Sequence, residues 1–159
     1  MRVHKLSPFL WFDNQAEEAV AFYLSVFKEA KPGPVMRCGD AGPGPKGSVL
    51  CASFELDGVQ IVAMNGGPTF KFNEAISLLI RCQTQQEVDY YWETLGAGGQ
   101  YLDCGWLKDR YGLCWQVTPE RLLELNMDPD PAKAGRVMQA MMTMQKIDIA
   151  TLEKAAAGG

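Results

Sequence analysis

Residues 7–27, SPFLWFDNQAEEAVAFYLSVF, decide the fold, because they join an apolar strand to an amphipathic helix. SPFLWF, at residues 7–12, predicts the strand. Asn14 then predicts the N-cap of a helix, and Glu17, three residues later, completes the pattern of a capping box. The buried face of this helix is predicted by apolar residues at helical spacing: Ala16, Ala19, Val20, Tyr23 and Phe27.

The segment that follows predicts a loop and then a hairpin. Residues 31–45 are rich in proline and glycine and predict a loop, with a short strand near residues 35–38. SVLCASFELDGVQIVAMN, at residues 48–65, contains two apolar runs around Asp57 and Gly58. Because that dipeptide favours a tight turn, the sequence predicts an antiparallel pair of strands.

The same order of elements then starts again. AISLLIRC, at residues 75–82, predicts a strand, and Thr84 with Glu87 predicts a second capped helix that ends at GAGG, residues 96–99. CGWLKDRYGLCWQV, at residues 104–117, predicts a second hairpin. Strand, helix and hairpin therefore occur twice, and such a repeat indicates two supersecondary units, neither of which can bury its sheet alone.

The second hairpin is predicted to be mostly scaffold. A turn at residues 109–112 would pair Trp106 with Trp115 on the face toward the helices. Four residues would then face the other way, namely Gly105, Leu107, Cys114 and Gln116. Cys114 would need a neighbouring base or cation in order to act as a nucleophile.

The predicted fold is therefore α+β, with paired βαβββ modules that form a curved mixed sheet and with C-terminal helices. Module one is predicted at residues 5–68, module two at residues 73–118 and a helical tail at residues 119–156. The tail carries a methionine-rich stripe, which would pack either on its own sheet or on another subunit. The stripe consists of Val137, Met138, Met141, Met142 and Met144.

The composition argues against several classes of protein. A net charge of −4, without a run of Lys or Arg, predicts no nucleic acid as a partner. No apolar stretch is long enough to span a membrane and the N-terminus lacks the features of a secretory signal, so we expect a cytoplasmic protein. Five cysteines without a CxxC pair predict reduced thiols.

Several motifs closely resemble the PhnB-like family of the vicinal-oxygen-chelate (glyoxalase/bleomycin-resistance) superfamily. They are PFLWFDNQAEEAVAFYLSVF, FKFNEAISLLI, EVDYYW, CGWLKDRYGLCWQV and KIDIATLEKA. The resemblance runs from about residue 5 to residue 156 and implies a single domain of paired βαβββ modules that forms a homodimer. The family is often labelled 3-demethylubiquinone-9 3-methyltransferase-like. However, the turn after SPFLWF has no glycine, so we do not expect a methyltransferase that uses S-adenosylmethionine.

The resemblance also implies where metal ligands would lie. In metal-using relatives, four strands supply His or Glu ligands, and these positions fall here on Ser7, Val62, Ser77 and Gln116. Hydroxyl and carboxamide groups are weak ligands for a transition metal, so the chain is predicted to hold no metal and no cofactor. A rearranged site that uses His4 with Cys or Glu is the alternative.

If the inherited ligand positions mark the concave face, strand alternation predicts the residues that line a cleft. They are Ser7, Phe9, Trp11, Gln60, Val62, Met64, Ser77, Leu79, Arg81, Cys114 and Gln116. This set is apolar and aromatic with a few polar groups, which is typical of a site for a small aromatic or anionic molecule. Arg81 would either bind a ligand carboxylate or phosphate, or lie at the strand end paired with an acidic side chain.

Three functions are compatible with this sequence. The first is a metal-free homodimer that binds a small molecule. The second is an enzyme of the superfamily that uses non-standard or borrowed metal ligands. The third is a protein whose cleft is vestigial and whose role lies in its dimer surface.

Overall fold

The computed structural model describes residues 4–158, and the chain divides into two compact units, the first ending at Phe72 and the second beginning at Asn73. The first unit contains one helix and a four-stranded sheet in the order β1-β4-β3-β2, in which β1 runs parallel to β4. Its elements are β1 (Phe9–Phe12), α1 (Ala16–Val26), β2 (Ala30–Arg37), β3 (Val49–Leu56) and β4 (Val59–Asn65).

The second unit repeats this topology and adds three helices. Its sheet has the order β5-β8-β7-β6, with β5 parallel to β8, so the predicted pair of βαβββ modules is confirmed. The module consists of β5 (Leu78–Cys82), α2 (Gln85–Gly96), β6 (Gln100–Tyr101), β7 (Trp106–Lys108) and β8 (Cys114–Pro119). The tail consists of α3 (Glu120–Asn126), α4 (Pro131–Met141) and α5 (Ile149–Ala156).

In each module, the helix covers one face of its own sheet. In the first unit, Tyr23 of α1 is fully buried and stacks on Phe54 of β3, with ring centroids 6.1 Å apart. In the second unit, Val88 of α2 and Leu107 and Val117 of the sheet are fully buried. Because side chains alternate along a strand, every second residue lies on the opposite face of each sheet, the helix-free face, which the module's own helix does not cover.

The two helix starts differ in how their backbone N–H groups are satisfied. Thr84 caps α2 as predicted, because its hydroxyl accepts a hydrogen bond from the Glu87 amide at 3.2 Å. The prediction that Asn14 caps α1 is wrong, since the N-cap is Gln15 and its side chain makes no capping bond. Asn65, at the end of β4, supplies the acceptor instead, because its Oδ1 accepts from the Ala16 amide at 2.8 Å.

The proline-rich segment after α1 is more ordered than predicted. Residues 31–37, expected to be mostly loop, belong to β2, which lies at the edge of the first sheet. The β2–β3 register shifts between Pro32 and Val35. A proline lacks the N–H that a central strand must donate, but an edge strand needs to bond on one side only.

The two hairpins also differ from each other. The turn at Asp57 and Gly58 is confirmed, and both residues have positive φ, 47° and 80°. In the second hairpin, Leu107 lies opposite Trp115 and Trp106 lies opposite Gln116, so the predicted Trp106–Trp115 pair is wrong.

The difference between the predicted and the observed register of the second hairpin has a local cause. The carboxylate of Asp109 is buried and accepts hydrogen bonds from the amides of Tyr111 and Leu113 and from the indole of Trp115. These bonds lengthen the turn by one residue beyond the predicted 109–112. As a result Trp106 lies on the helix-free face with Gln116, while Leu107 and Trp115 lie beneath α2.

The tail packs within the second unit around a core of its own. That core contains Leu122, Leu125, Val137, Ile147, Leu152 and Ala156, with Met141 and Met144 packed against it. Met138 and Met142 of the methionine-rich stripe remain exposed. Among residues 4–158, every helix is too short or too polar to cross a bilayer.

Candidate functional site

The helix-free face of the first sheet carries most of the residues predicted for module one. Phe9 lies opposite Val62, and Trp11 lies opposite Met64, in the parallel pairing of β1 with β4. Gln60 follows the same alternation along β4, and Ser7 precedes β1. Phe9 is 57% exposed, which is unusual for a phenylalanine in a sheet and leaves an aromatic surface open to a ligand.

Trp11 is held in one orientation by three contacts with residues that follow β4. Its indole N–H donates to the Gly67 carbonyl at 2.9 Å, and its ring meets the edge of Phe70 at a centroid distance of 4.9 Å. Gly66 lies directly under the ring, because a Cβ there would come within 2.3 Å of Trp11. The indole is therefore seated before any ligand arrives, which lowers the entropic cost of binding.

A hollow of about 570 Å3 lies beside Trp11 and Met64, which is in the size range of a small-molecule site. Its other lining residues, all in the first unit, are Asp13, Asn14, Cys38, Pro43, Gly44, Pro45, Ser48, Val49, Leu50, Asn65, Gly66 and Gly67. A second hollow of about 530 Å3 includes Gln60, Ser53 and Glu55, together with His4. The first hollow is the more apolar of the two.

On the second sheet, Ser77 and Gln116 are joined to each other. The Gln116 side-chain amide donates to the Ser77 hydroxyl at 2.8 Å. Leu79 lies opposite Gln116 of β8. Cys114 is two residues before Gln116 on β8 and so lies on the same face. The structure therefore brings these four predicted residues of module two together on one helix-free face.

The side chains at the inherited metal-ligand positions of the second sheet are poorly suited to bind a transition metal. Ser77 and Gln116 are hydrogen-bonded to each other, and neither is a strong ligand for a transition metal. Within residues 4–158, no group of three or more His, Cys, Asp or Glu side chains is arranged to hold a metal ion. The alternative site built on His4 is therefore not assembled by the described part of the chain.

Arg81 lies at the end of β5, next to the start of α3. Its side chain is 62% exposed, and its Nε is 3.9 Å from a carboxylate oxygen of Glu120. Pairing with an acidic side chain is one of the two alternatives predicted for Arg81 from the sequence. A role in binding an anion stays a prediction for this residue.

Lys108 is a residue of this face that the sequence analysis missed. It lies opposite Cys114 on the helix-free side, is 27% exposed, and forms an ion pair with Glu74. The hydrogen bond from Lys108 holds the pKa of Glu74 below its usual range, so Glu74 is ionised at neutral pH. The predicted register placed Lys108 on the face toward the helices. The sequence feature that could have indicated the correct register is the acidic residue Asp109 at the start of the turn.

The sequence of the chain matches a known family. The sequence model described as 3-demethylubiquinone-9 3-methyltransferase matches residues 4–118. The chain belongs to this family. It is the PhnB-like family that the sequence motifs indicated, and the PhnB protein from Bacillus cereus is 34% identical to the chain. That match covers 73% of this chain and 99% of the other, with a TM-score of 0.67.

Two further structures resemble this PhnB-like protein at lower identity. Protein PA1353 from Pseudomonas aeruginosa is 20% identical over 74% of this chain and 98% of its own, with a TM-score of 0.61. The fosfomycin resistance protein FosX from Listeria monocytogenes is 18% identical over 72% and 89%, with a TM-score of 0.53. These likenesses show the vicinal-oxygen-chelate fold alone. No protein of curated function matches the chain.

In this PhnB-like protein, the thiol of Cys114 is fully buried. Burial, followed by the charge of Glu74, raises its pKa, while Lys108 lowers it only in part. The thiol form therefore dominates at neutral pH, which disfavours a nucleophilic role. All five cysteines are free.

Proposed function

We propose that this PhnB-like protein binds a small aromatic or anionic molecule, without a metal or cofactor, as a cytoplasmic homodimer. The observation that carries this proposal is the hollow of about 570 Å3 beside the seated indole of Trp11. An apolar concavity with a fixed aromatic ring and a few polar groups is the usual form of a site for a small organic ligand.

Two observations support binding without a metal and without methyl transfer. Ser77 and Gln116, at two inherited ligand positions, bond to each other and offer only weak donors. The link from β1 to α1, residues 13–15, has no glycine that would let a backbone approach a nucleotide-like cofactor. The proposal therefore includes no binding of S-adenosylmethionine, despite the family description.

The proposed homodimer draws its support from the tail. Met127, Met138 and Met142 are large apolar side chains with exposed surfaces of 84%, 40% and 67%. Exposed apolar side chains of this size favour contact with a second copy. Sedimentation velocity of the purified protein tests this part, and a single monomeric species at high micromolar concentration would reject it.

Binding is tested by titrating the protein with 1-anilinonaphthalene-8-sulfonate, an aromatic anion, in a calorimeter. We expect saturable binding to native protein and, at 100 times the dissociation constant, about 2.7 kcal/mol of added stability. Trp11→Leu should weaken binding, whereas Tyr90→Leu, which changes an exposed aromatic residue of α2, should not. No binding, or equal binding by both variants, rejects the site at Trp11. A stoichiometric transition metal in the purified protein would reject the metal-free part.

A further inference from the structure

The ion pair between Lys108 and Glu74 lies on a sheet face that otherwise carries ligand-type residues. Trp106 is two residues from Lys108 on β7 and so projects from the same side. Gln116, the Cα partner of Trp106, is already ordered by its bond to Ser77. An ammonium group thus shares a face with a half-buried indole and a fixed amide, which is a combination suited to a flat molecule with one negative end.

Glu74 is placed so that it can leave this position. It lies before β5 in a run of exposed residues, 73–76, whose turn is closed by a hydrogen bond from the Ala75 amide to Asn73. Its side chain is 54% exposed, so its ion pair is screened by water and contributes little to stability. Lys108, in contrast, lies on a strand paired on both sides.

We propose that Lys108 is the anion anchor of a site for a small aromatic carboxylate, and that Glu74 occupies the place of the ligand carboxylate until the ligand displaces it. This inference rests on the proposed function, and it adds a second site on the sheet of the second unit, with its ligand class. The exchange is balanced in charge, because one carboxylate replaces another on the same ammonium. The ring of the ligand would contact Trp106 and Leu79, which is 37% exposed.

Lys108 suits this role better than Arg81, the anchor considered from the sequence. Arg81 is more exposed and has a partner on α3, Glu120, whose position is fixed by a helix. An anion bound at Arg81 would remain largely in water, where a single charge contributes little to affinity. An anion bound at Lys108 would lie against partly buried apolar groups, where the same charge is worth more.

The test compares 2-naphthoate with its neutral isostere 2-naphthamide by calorimetric titration of the full chain. We expect Lys108→Gln to weaken 2-naphthoate by about tenfold or more and to leave 2-naphthamide unchanged. We expect Glu74→Gln to strengthen 2-naphthoate several-fold, because the internal competitor has lost its charge. The matched control is Lys146→Gln. Lys146 does not belong to this face, and its Nζ lies 3.0 Å from a carboxylate oxygen of Asp89 on α2.

The outcomes separate this inference from the proposed function. If Lys108→Gln does not change the affinity for 2-naphthoate, or if Glu74→Gln weakens it, then Lys108 is not the anion anchor. The proposal that the protein binds a small molecule would still stand. Equal affinity of the wild-type protein for both naphthalene compounds overturns the role of Lys108 in the same way. No binding of either compound, together with no binding of 1-anilinonaphthalene-8-sulfonate, rejects the proposed function and this inference with it.

Discussion

The carboxylate of Asp109 accepts a hydrogen bond from the indole N–H of Trp115 at 2.9 Å, across the turn of the second hairpin. The other carboxylate oxygen accepts from the amides of Tyr111 and Leu113 at 2.9 and 3.1 Å. One buried side chain therefore sets both the length of the turn and the position of the strand that follows. Through that register it decides which residues reach the helix-free face.

Asp109→Ala should destabilise the protein by about 3 kcal/mol, because it leaves three donors in or near the core without their acceptor. Urea denaturation measures the change. Asp40→Ala is the matched control, since Asp40 is exposed and forms its ion pair with exposed Lys46, and we expect a change within about 0.5 kcal/mol. Equal midpoints for the two variants would contradict the role assigned to Asp109.

Gly66→Ala should disturb the seat of Trp11. The new Cβ would approach the indole ring to 2.3 Å, so the ring must move and its bond to the Gly67 carbonyl is lost. We expect a loss of about 1–3 kcal/mol, typical of overpacking, and a change in tryptophan fluorescence.

The control for that substitution is the same change in α4. Gly135 is exposed, and a Cβ there would have no neighbour within 4 Å. Gly135→Ala should therefore stabilise the protein by about 0.5–1 kcal/mol through helix propensity. A Gly66→Ala variant as stable as the Gly135→Ala variant would show that the indole is not held as described.

Gln85→Ala should loosen the helical tail from the second module. The Gln85 side chain donates to the Ile147 carbonyl at 3.0 Å and accepts from the Ile149 amide at 2.8 Å, so it holds the start of α5. Without it, trypsin should cleave faster after Lys146, as followed by mass spectrometry. Gln86→Ala, in an exposed neighbour, should leave the cleavage rate unchanged, and equal rates for the two variants would contradict this role.

Cys82 and Cys114 should resist iodoacetamide at pH 8 in the native protein and react once the chain is unfolded in urea. Both thiols are fully buried, and burial raises the pKa of Cys82 to about 12 and that of Cys114 above its usual value. Because the raised pKa keeps each group protonated at pH 8, little reactive thiolate is present. Mass spectrometry of tryptic peptides locates the modified cysteines, and rapid native modification of either one would contradict the assigned burial.

The sequence predicted well those features that depend on neighbouring residues. The Asp57–Gly58 turn and the Thr84–Glu87 cap are both confirmed. Each depends only on residues that lie within four positions of one another in the sequence. The cap of α1 could not be predicted in the same way. Its acceptor, Asn65, is distant in sequence, and its position depends on the pairing of β4 with β1.

The candidate site shows the same division. Strand alternation alone placed Phe9, Trp11, Val62 and Met64 on one face, because β1 and β4 are regular. It failed for Trp106 and Lys108, because a turn one residue longer moves every side chain of β7 to the other face. The side-chain chemistry of Asp109 decided that length, and counting hydrophobic residues does not detect it.

Pro32 and Pro34 lie in β2, the outer strand of the first sheet. A proline has no N–H to offer an incoming strand, and the register shift beside these prolines interrupts the regular spacing of the remaining groups. This border is therefore poorly suited to accept a strand from another molecule, which protects the chain against ribbon-like aggregation there. A second copy would have to associate through side chains, rather than by extending the sheet along this margin.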